Sequence, residues 1–180
     1  MPIVRGKDIE VLYSASAIAR RNLELAKEIA SRDYHDLLVI SVLKGSFIVA
    51  ADLIRAMHDV GLSPEVEFIF ISSYGAGTTS GEVRVLRDID NDVAGRDVLL
   101  IDDILESGKT LAFTRKLMME RGARSCSIAV LLDKRMRRQA DLEADYVGFD
   151  CPDHFVVGYG MDVAHAFREL PFVGVVTGDA

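Results

Sequence analysis

This sequence has little of what marks secreted, membrane-spanning or nucleic-acid-coating chains. It carries 2 cysteines in 180 residues, too few for a disulfide framework. Cys126 falls inside an apolar run and Cys151 precedes Pro152, so a reduced, cytoplasmic chain is expected. No stretch approaches the roughly 18 apolar residues of a membrane span, and Met1 to Asp8 lacks the apolar centre of a signal peptide. Positive charge is short too. Lysine and arginine number 21 against 28 aspartates and glutamates, a net charge of −7. That balance argues against a nucleic-acid or anionic-membrane partner but leaves room for a local basic pocket. The basic run Lys134-Arg135-Met136-Arg137-Arg138 is therefore read, beyond Lys134, as a solvated connection or a subunit contact. His35, His58, His154 and His165 show no metal-ligand spacing. There is no internal repeat and no low-complexity segment.

What remains is a globular mix, 49% hydrophobic and 27% charged, long enough for one domain over residues 1–180. Its organising stretch is Val98 to Leu111. Val98-Leu99-Leu100-Ile101 reads as a buried parallel strand. The acidic pair Asp102-Asp103 follows, then a small polar turn with Ser107, Gly108 and Thr110. Helical spacing resumes at Leu111, Thr114, Arg115 and Met118. A glycine-containing turn between a strand and a helix N-terminus offers free N–H groups and a positive dipole end to an anion, usually phosphate. Two carboxylates beside such a site need a cation or sugar hydroxyls between them.

The rest of the chain alternates. Residues 14–32 predict a helix, Leu37 to Val42 a strand, Phe47 to His58 a helix, and Val66 to Ser73 a strand. Tyr74 to Gly81 has three glycines and three serine or threonine hydroxyls, a mobile loop rather than core. Val83 to Leu86 and Ser127 to Leu132 predict further strands. Strands alternating with helices over 37–132 imply an α/β fold with a central, mostly parallel sheet. The core is expected over about 10–132. The remainder, about 133–180, is expected to form a small hood over the sheet's edge, with a helical turn at Ala164 to Arg168. Three turns, Leu43-Lys44-Gly45, Asp103 to Thr110 and Asp133-Lys134, each follow a strand and would face one crevice. The P-loop reading of Gly108-Lys109-Thr110 fails, because that motif needs glycine where Asp103 stands.

Asp102 to Leu111, with the apolar strand before it, resembles the phosphoribosyl-pyrophosphate motif of the type I phosphoribosyltransferases. Leu43-Lys44-Gly45, Ser72 to Gly75, Leu131 to Arg135, Phe155 to Asp162 and Phe167-Arg168 resemble the hypoxanthine-guanine branch of that family. The likeness spans roughly residues 10–177. It implies transfer of a phosphoribosyl group from 5-phosphoribosyl pyrophosphate to N9 of a 6-oxopurine, with Mg²⁺.

By the same resemblance, Glu106, Ser107, Gly108, Lys109 and Thr110 hold the 5′-phosphate. Asp102 and Asp103 face the ribose hydroxyls, directly or through metal-bound water, and Asp162 is a further metal contact. Leu43, Lys44, Gly45 and Arg168 take the pyrophosphate; in the family the bond corresponding to Leu43–Lys44 is often cis. Phe155 stacks on the purine, Lys134 donates to its O6, and Val156 reads its other edge. Ser73 and Tyr74 open a catalytic lid that runs to Gly81, and a homodimer or homotetramer is implied. The sequence departs from the family at Asp102, where Glu is usual, at Ser107, where Thr is usual, and at Glu106, where Asp stands and acts as general base. We expect Glu106 to keep that role. The rival expectation is a nucleotide-binding regulator of transcription on the same fold.

Overall fold

A computed structural model describes residues 3–74 and 82–177. The elements in order are β1 (Ile3–Val4), β2 (Lys7–Tyr13), α1 (Ala15–Ala30), β3 (Leu38–Leu43), α2 (Phe47–Asp59), β4 (Glu65–Tyr74), β5 (Glu82–Arg87), β6 (Asp97–Leu105), α3 (Lys109–Glu120), β7 (Ser125–Asp133), β8 (Tyr146–Asp150), β9 (Val156–Val157) and β10 (Val173–Thr177).

Helix α1 starts where Ser14 accepts a hydrogen bond from the Ala17 N–H at 3.2 Å, satisfying one orphan donor of the first turn. Its stripe Ile18, Leu25, Ala26 and Ile29 is buried. The main sheet has six strands in the order β5-β4-β3-β6-β7-β8. Every pairing in it is parallel except β4 with β5. Helices α1 and α2 cover one face and α3 the other, which makes two apolar layers. Burial on both faces explains the unbroken apolar runs of β3 and β6, where Leu38 to Ile40 and Val98 to Ile101 are fully enclosed. Each such side chain contributes about 1.5–3 kcal/mol.

Strand β6 outruns the expectation. Its pairing with β3 ends at Ser41 opposite Ile101. Its pairing with β7 continues through Asp102, Ile104 and Leu105. The acidic pair therefore sits on the last turns of a strand, fixed by β7, rather than in a loose turn.

A second sheet, β1-β2-β10-β9, is antiparallel and draws on both ends of the chain. The hood expected from 133–180 is thus redrawn in two respects: β2 joins it, and β8 belongs to the main sheet instead. The helical turn expected at Ala164 to Arg168 is absent. Ala164, His165 and Phe167 all have positive φ, and Val163 bridges to Ala166. Of the expected lid, Ser73 and Tyr74 end β4, whereas residues 75–81 lie outside the described residues.

The chain leaves β3 towards β4 on one side and returns to β6 on the other. This reversal opens a crevice at the carboxyl ends of β3 and β6, where ligands of open α/β sheets bind.

Candidate active site

The turn after β6 is built around Gly108, whose φ of +81° places it in the left-handed region before α3. A side chain there would be strained. Gly108 has no side chain to cap α3, and beyond a long 3.4 Å bond from the Lys109 N–H to the Ser107 hydroxyl the first N–H groups of the helix remain available to an anion. Ser107, Gly108 and Thr110 line a cavity of about 200 Å³ with Ser73, Asp102, Ile104, Leu105, Glu106 and Leu111.

Ile104 and Glu106 also line a second cavity, of about 370 Å³. Leu43, Lys44, Gly45, Asp103, Lys134, Phe155, Val156, Met161, Asp162 and Arg168 share it. The structure thus brings together the residues of all three predicted turns. Lys109 is exposed at the start of α3 and lines neither cavity.

Lys134 is buried, and its Nζ donates to Glu106 Oε1 at 2.7 Å. The Lys134 N–H donates to the Leu105 carbonyl at 2.9 Å, which locks the ends of β6 and β7 together. Phe155 stands exposed at the mouth of the cavity, as a ring that has no neighbour to stack on would. Val156, next in the chain, is buried.

Asp102 and Asp103 are partly buried side by side. Each carboxylate accepts the next residue's N–H at 2.8 Å. Burial pushes the Asp102 carboxyl well above the usual range, and the neighbouring Asp103 charge adds to the rise. Burial raises Asp103 as well, although the Arg168 charge works against it. Gly45 is placed by this pair: a Cβ on it would lie 2.0 Å from Asp103 Oδ2. The Leu43–Lys44 bond is cis, and the Lys44 ammonium lies 5.4 Å from the centre of the Phe70 ring, a cation–π distance.

Asp162 pairs with Arg168, Oδ1 to Nη2 at 3.0 Å, and accepts the His165 N–H at 2.7 Å. Arg168 also donates to the Gly160 carbonyl. Gly160, at φ +97°, packs against the Gly45 carbonyl, 2.4 Å from where a Cβ would be. The loop at Gly160 and the turn after β3 therefore touch through two glycines.

Among the described residues no group of three or more His, Cys, Asp or Glu could hold a metal unaided. Sequence reasoning missed Tyr159, whose hydroxyl joins buried Asn22 to partly exposed Asp52. Arg138, expected in a solvated connection or a subunit contact, instead has a largely enclosed side chain that pairs with Asp133. The partners of Tyr159 are distant in the chain, and although Asp133 lies five residues from Arg138, nothing local shows that β7 ends so as to turn the two together.

The model of the phosphoribosyl transferase domain matches residues 8–164. The chain belongs to the phosphoribosyltransferase family. Among its relatives, the hypoxanthine-guanine phosphoribosyltransferase of Bacillus subtilis is 47% identical over 94% of this chain and 94% of its own length. The hypoxanthine phosphoribosyltransferase of Escherichia coli K12 is 41% identical, covering 93% and 95%. A hypoxanthine phosphoribosyltransferase structure from Staphylococcus aureus superposes with a TM-score of 0.87 at 40% identity, over 93% of this chain and 91% of that one. The two adjoining cavities, which share Ile104 and Glu106, lie at the carboxyl ends of β3 and β6.

Proposed function

We propose that this chain is a purine-salvage enzyme. It transfers the 5-phosphoribosyl group of 5-phosphoribosyl 1-pyrophosphate to N9 of hypoxanthine or guanine, giving IMP or GMP and pyrophosphate. One observation carries this reading: an anion-binding loop and a pocket with a buried lysine and an exposed ring meet at a single carboxylate, Glu106. The names of the relatives supply the bases.

The bond from C1′ to the pyrophosphate oxygen breaks and the C1′–N9 bond forms, with the electron pair leaving on pyrophosphate. Positive charge builds on the sugar meanwhile, so water must be excluded and both partners held in line. The N–H groups of Ser107 to Thr110 and the Ser107 and Thr110 hydroxyls fix the 5′-phosphate. Lys44, the N–H groups around Gly45, and Arg168 receive the pyrophosphate; the arginine fork matches phosphate oxygens. Glu106 accepts the proton that the base gives up. Its Oε1 is engaged by Lys134, which leaves Oε2 for the transfer.

The ammonium of Lys134 has three donors, so one can stay on Glu106 while another meets O6. A 6-amino group would set donor against donor, which disfavours adenine. Phe155 covers one face of the purine and the Val156 backbone reads an edge. Ser73 and Tyr74 begin the lid.

The acidic pair fits Mg²⁺, which takes one or two carboxylates and fills its shell with phosphate oxygens and water. Two partly buried carboxyls with raised pKa, one pressed against backbone at Gly45, are a donor set that a hard cation would relieve. Asp102 and Asp103 would hold it, with Asp162 towards the pyrophosphate. Bound there, it would neutralise charge on the donor.

We place the enzyme in the cytoplasm, in keeping with two free cysteines and no helix among the described residues long and apolar enough to cross a membrane. We also infer a homodimer or homotetramer, supported by Phe68 and Leu86 standing half-exposed on the adjacent strands β4 and β5; light scattering reads this directly.

Incubating the protein with 5-phosphoribosyl pyrophosphate, Mg²⁺ and each purine base in turn tests the activity. IMP and GMP are expected, with no AMP. No product from hypoxanthine, guanine or xanthine would overturn the reading and favour a nucleotide-binding regulator.

A further inference from the structure

We infer that Arg138 is a positioning residue for the 5′-phosphate loop. The inference rests on the function proposed above.

A loop that binds an anion through its N–H groups must turn its carbonyls the other way, and those carbonyls then need donors of their own. Here the donors come from residues 138–140. Arg138 Nε donates to the Glu106 carbonyl at 3.1 Å. The Gln139 and Ala140 N–H groups both donate to the Ser107 carbonyl at 2.9 Å. The two carbonyls that open the loop are therefore held away from the cavity by one short segment. The aliphatic stem of Arg138 also backs Gly108, with Cδ 3.1 Å from where a Cβ would stand.

The guanidinium is itself fixed. Nη2 meets Asp133 Oδ1 and Nη1 meets the Leu142 carbonyl. Asp133 is fully enclosed and Arg138 is 11% exposed. Asp133 ends β7 and precedes Lys134. One strand end thus grips Glu106 twice, at its carboxylate through Lys134 and at its carbonyl through Asp133 and Arg138. No other described side chain donates to the loop's carbonyls at 106 and 107. A planar fork can meet three acceptors at once, whereas a lysine ammonium in that place could keep the charge pair with Asp133 but not the spread.

Arg138→Lys is the discriminating variant. With Arg138 positioning the loop, KM for 5-phosphoribosyl pyrophosphate rises about tenfold while kcat and KM for hypoxanthine change little, the pattern of lost ground-state and transition-state binding alike. Direct binding without turnover should agree: GMP, which carries a 5′-phosphate, binds about tenfold more weakly, and pyrophosphate binds as in the wild type. Equal affinity of wild type and variant for GMP would overturn the assignment. So would parallel loss of GMP and pyrophosphate, which would mean a general disturbance of the site. If neither Arg138→Lys nor Arg138→Gln yields folded protein, the residue serves the fold and the assignment falls. A wild type that makes no monophosphate would instead refute the proposed reaction, and the GMP-against-pyrophosphate comparison would still decide the role of Arg138.

Discussion

Strand β6 carries acids at both ends, and the protein treats them in opposite ways. At the amino end, the Asp97 carboxylate is 5% exposed. It accepts from the His35 N–H at 2.6 Å, the Ser125 hydroxyl at 2.7 Å and Arg124 Nη1 at 3.3 Å. Burial alone would raise its pKa, but these donors outweigh burial and hold it below the usual carboxylate range. At the carboxyl end, the nearest N–H donors to Asp102 and Asp103 are their own backbone neighbours; burial outweighs these, and for Asp103 also the hydrogen bond with Asp102 and the Arg168 charge, while the Asp103 charge adds to the rise of Asp102, so both are raised. A buried charge given enough donors stabilises the fold, and one left short of donors is held ready for a ligand. The difference is what the proposed function requires of a single strand, a structural end and a functional end.

The largest test of that separation lies at the carboxyl end. Glu106→Gln keeps the size and an acceptor for Lys134 but cannot take a proton. With Glu106 as general base, kcat falls by about 100-fold or more, while the melting temperature stays close to that of the wild type. Steady-state kinetics with hypoxanthine checks it, and turnover close to wild type would remove Glu106 from the proton step.

Asp97→Asn probes the other end and should do the reverse. It weakens three hydrogen bonds to a charged acceptor, for which a loss of about 2 kcal/mol is expected, or roughly 4–8 °C in melting temperature for a domain of this size. Turnover should hold, because the site is five residues, roughly 17 Å, further along the strand. The sign with pH follows from the lowered pKa. The folded state releases this proton more readily than the unfolded state, so the contribution is fully present above about pH 3.8, the ordinary value, and is lost as pH falls through the folded value. The gap between wild-type and Asp97→Asn melting temperatures should therefore close on acidification below that point.

How much of this was legible in the sequence depended on distance along the chain. The run at Val98 announces a strand enclosed on both faces and the run from Leu37 a strand, and Ser14 or Ser16 and Gly108 mark helix starts by local chemistry. The three turns that meet in the crevice were readable as strand ends. Strand β2 was not, because its partner β10 lies some 160 residues away, Thr177 opposite Asp8. The length of β6 was hidden for a related reason: two aspartates look like the end of a strand until β7 is seen pairing beyond them. Arg138 looked like part of a solvated connection or a subunit contact, and only the fold turns it onto Asp133, five residues back, and onto the distant Glu106 carbonyl. Ala164 to Arg168 looked helical because nothing local reveals three residues with positive φ.

The smallest effect is also the one that bears most directly on the contrast within β6. Asp102→Asn removes one of two crowded carboxylates and keeps the shape. Because the folded pKa of Asp102 is raised, the folded state holds this proton more tightly than the unfolded state does. Its contribution to stability is therefore lost as pH rises above the ordinary carboxylate value, and at neutral pH the ionised group opposes folding. The Asn variant should be more stable at pH 7 in a chelator, by about 1 kcal/mol, or roughly 2–4 °C. Adding Mg²⁺ and 5-phosphoribosyl pyrophosphate should narrow or reverse that gain, since the wild type binds them better and binding to the folded state raises its stability. Paired melting curves, with and without these ligands, check it. If Asp102→Asn is instead less stable in chelator, the acidic pair is as well satisfied as Asp97, and the division of β6 into a structural and a functional end does not hold.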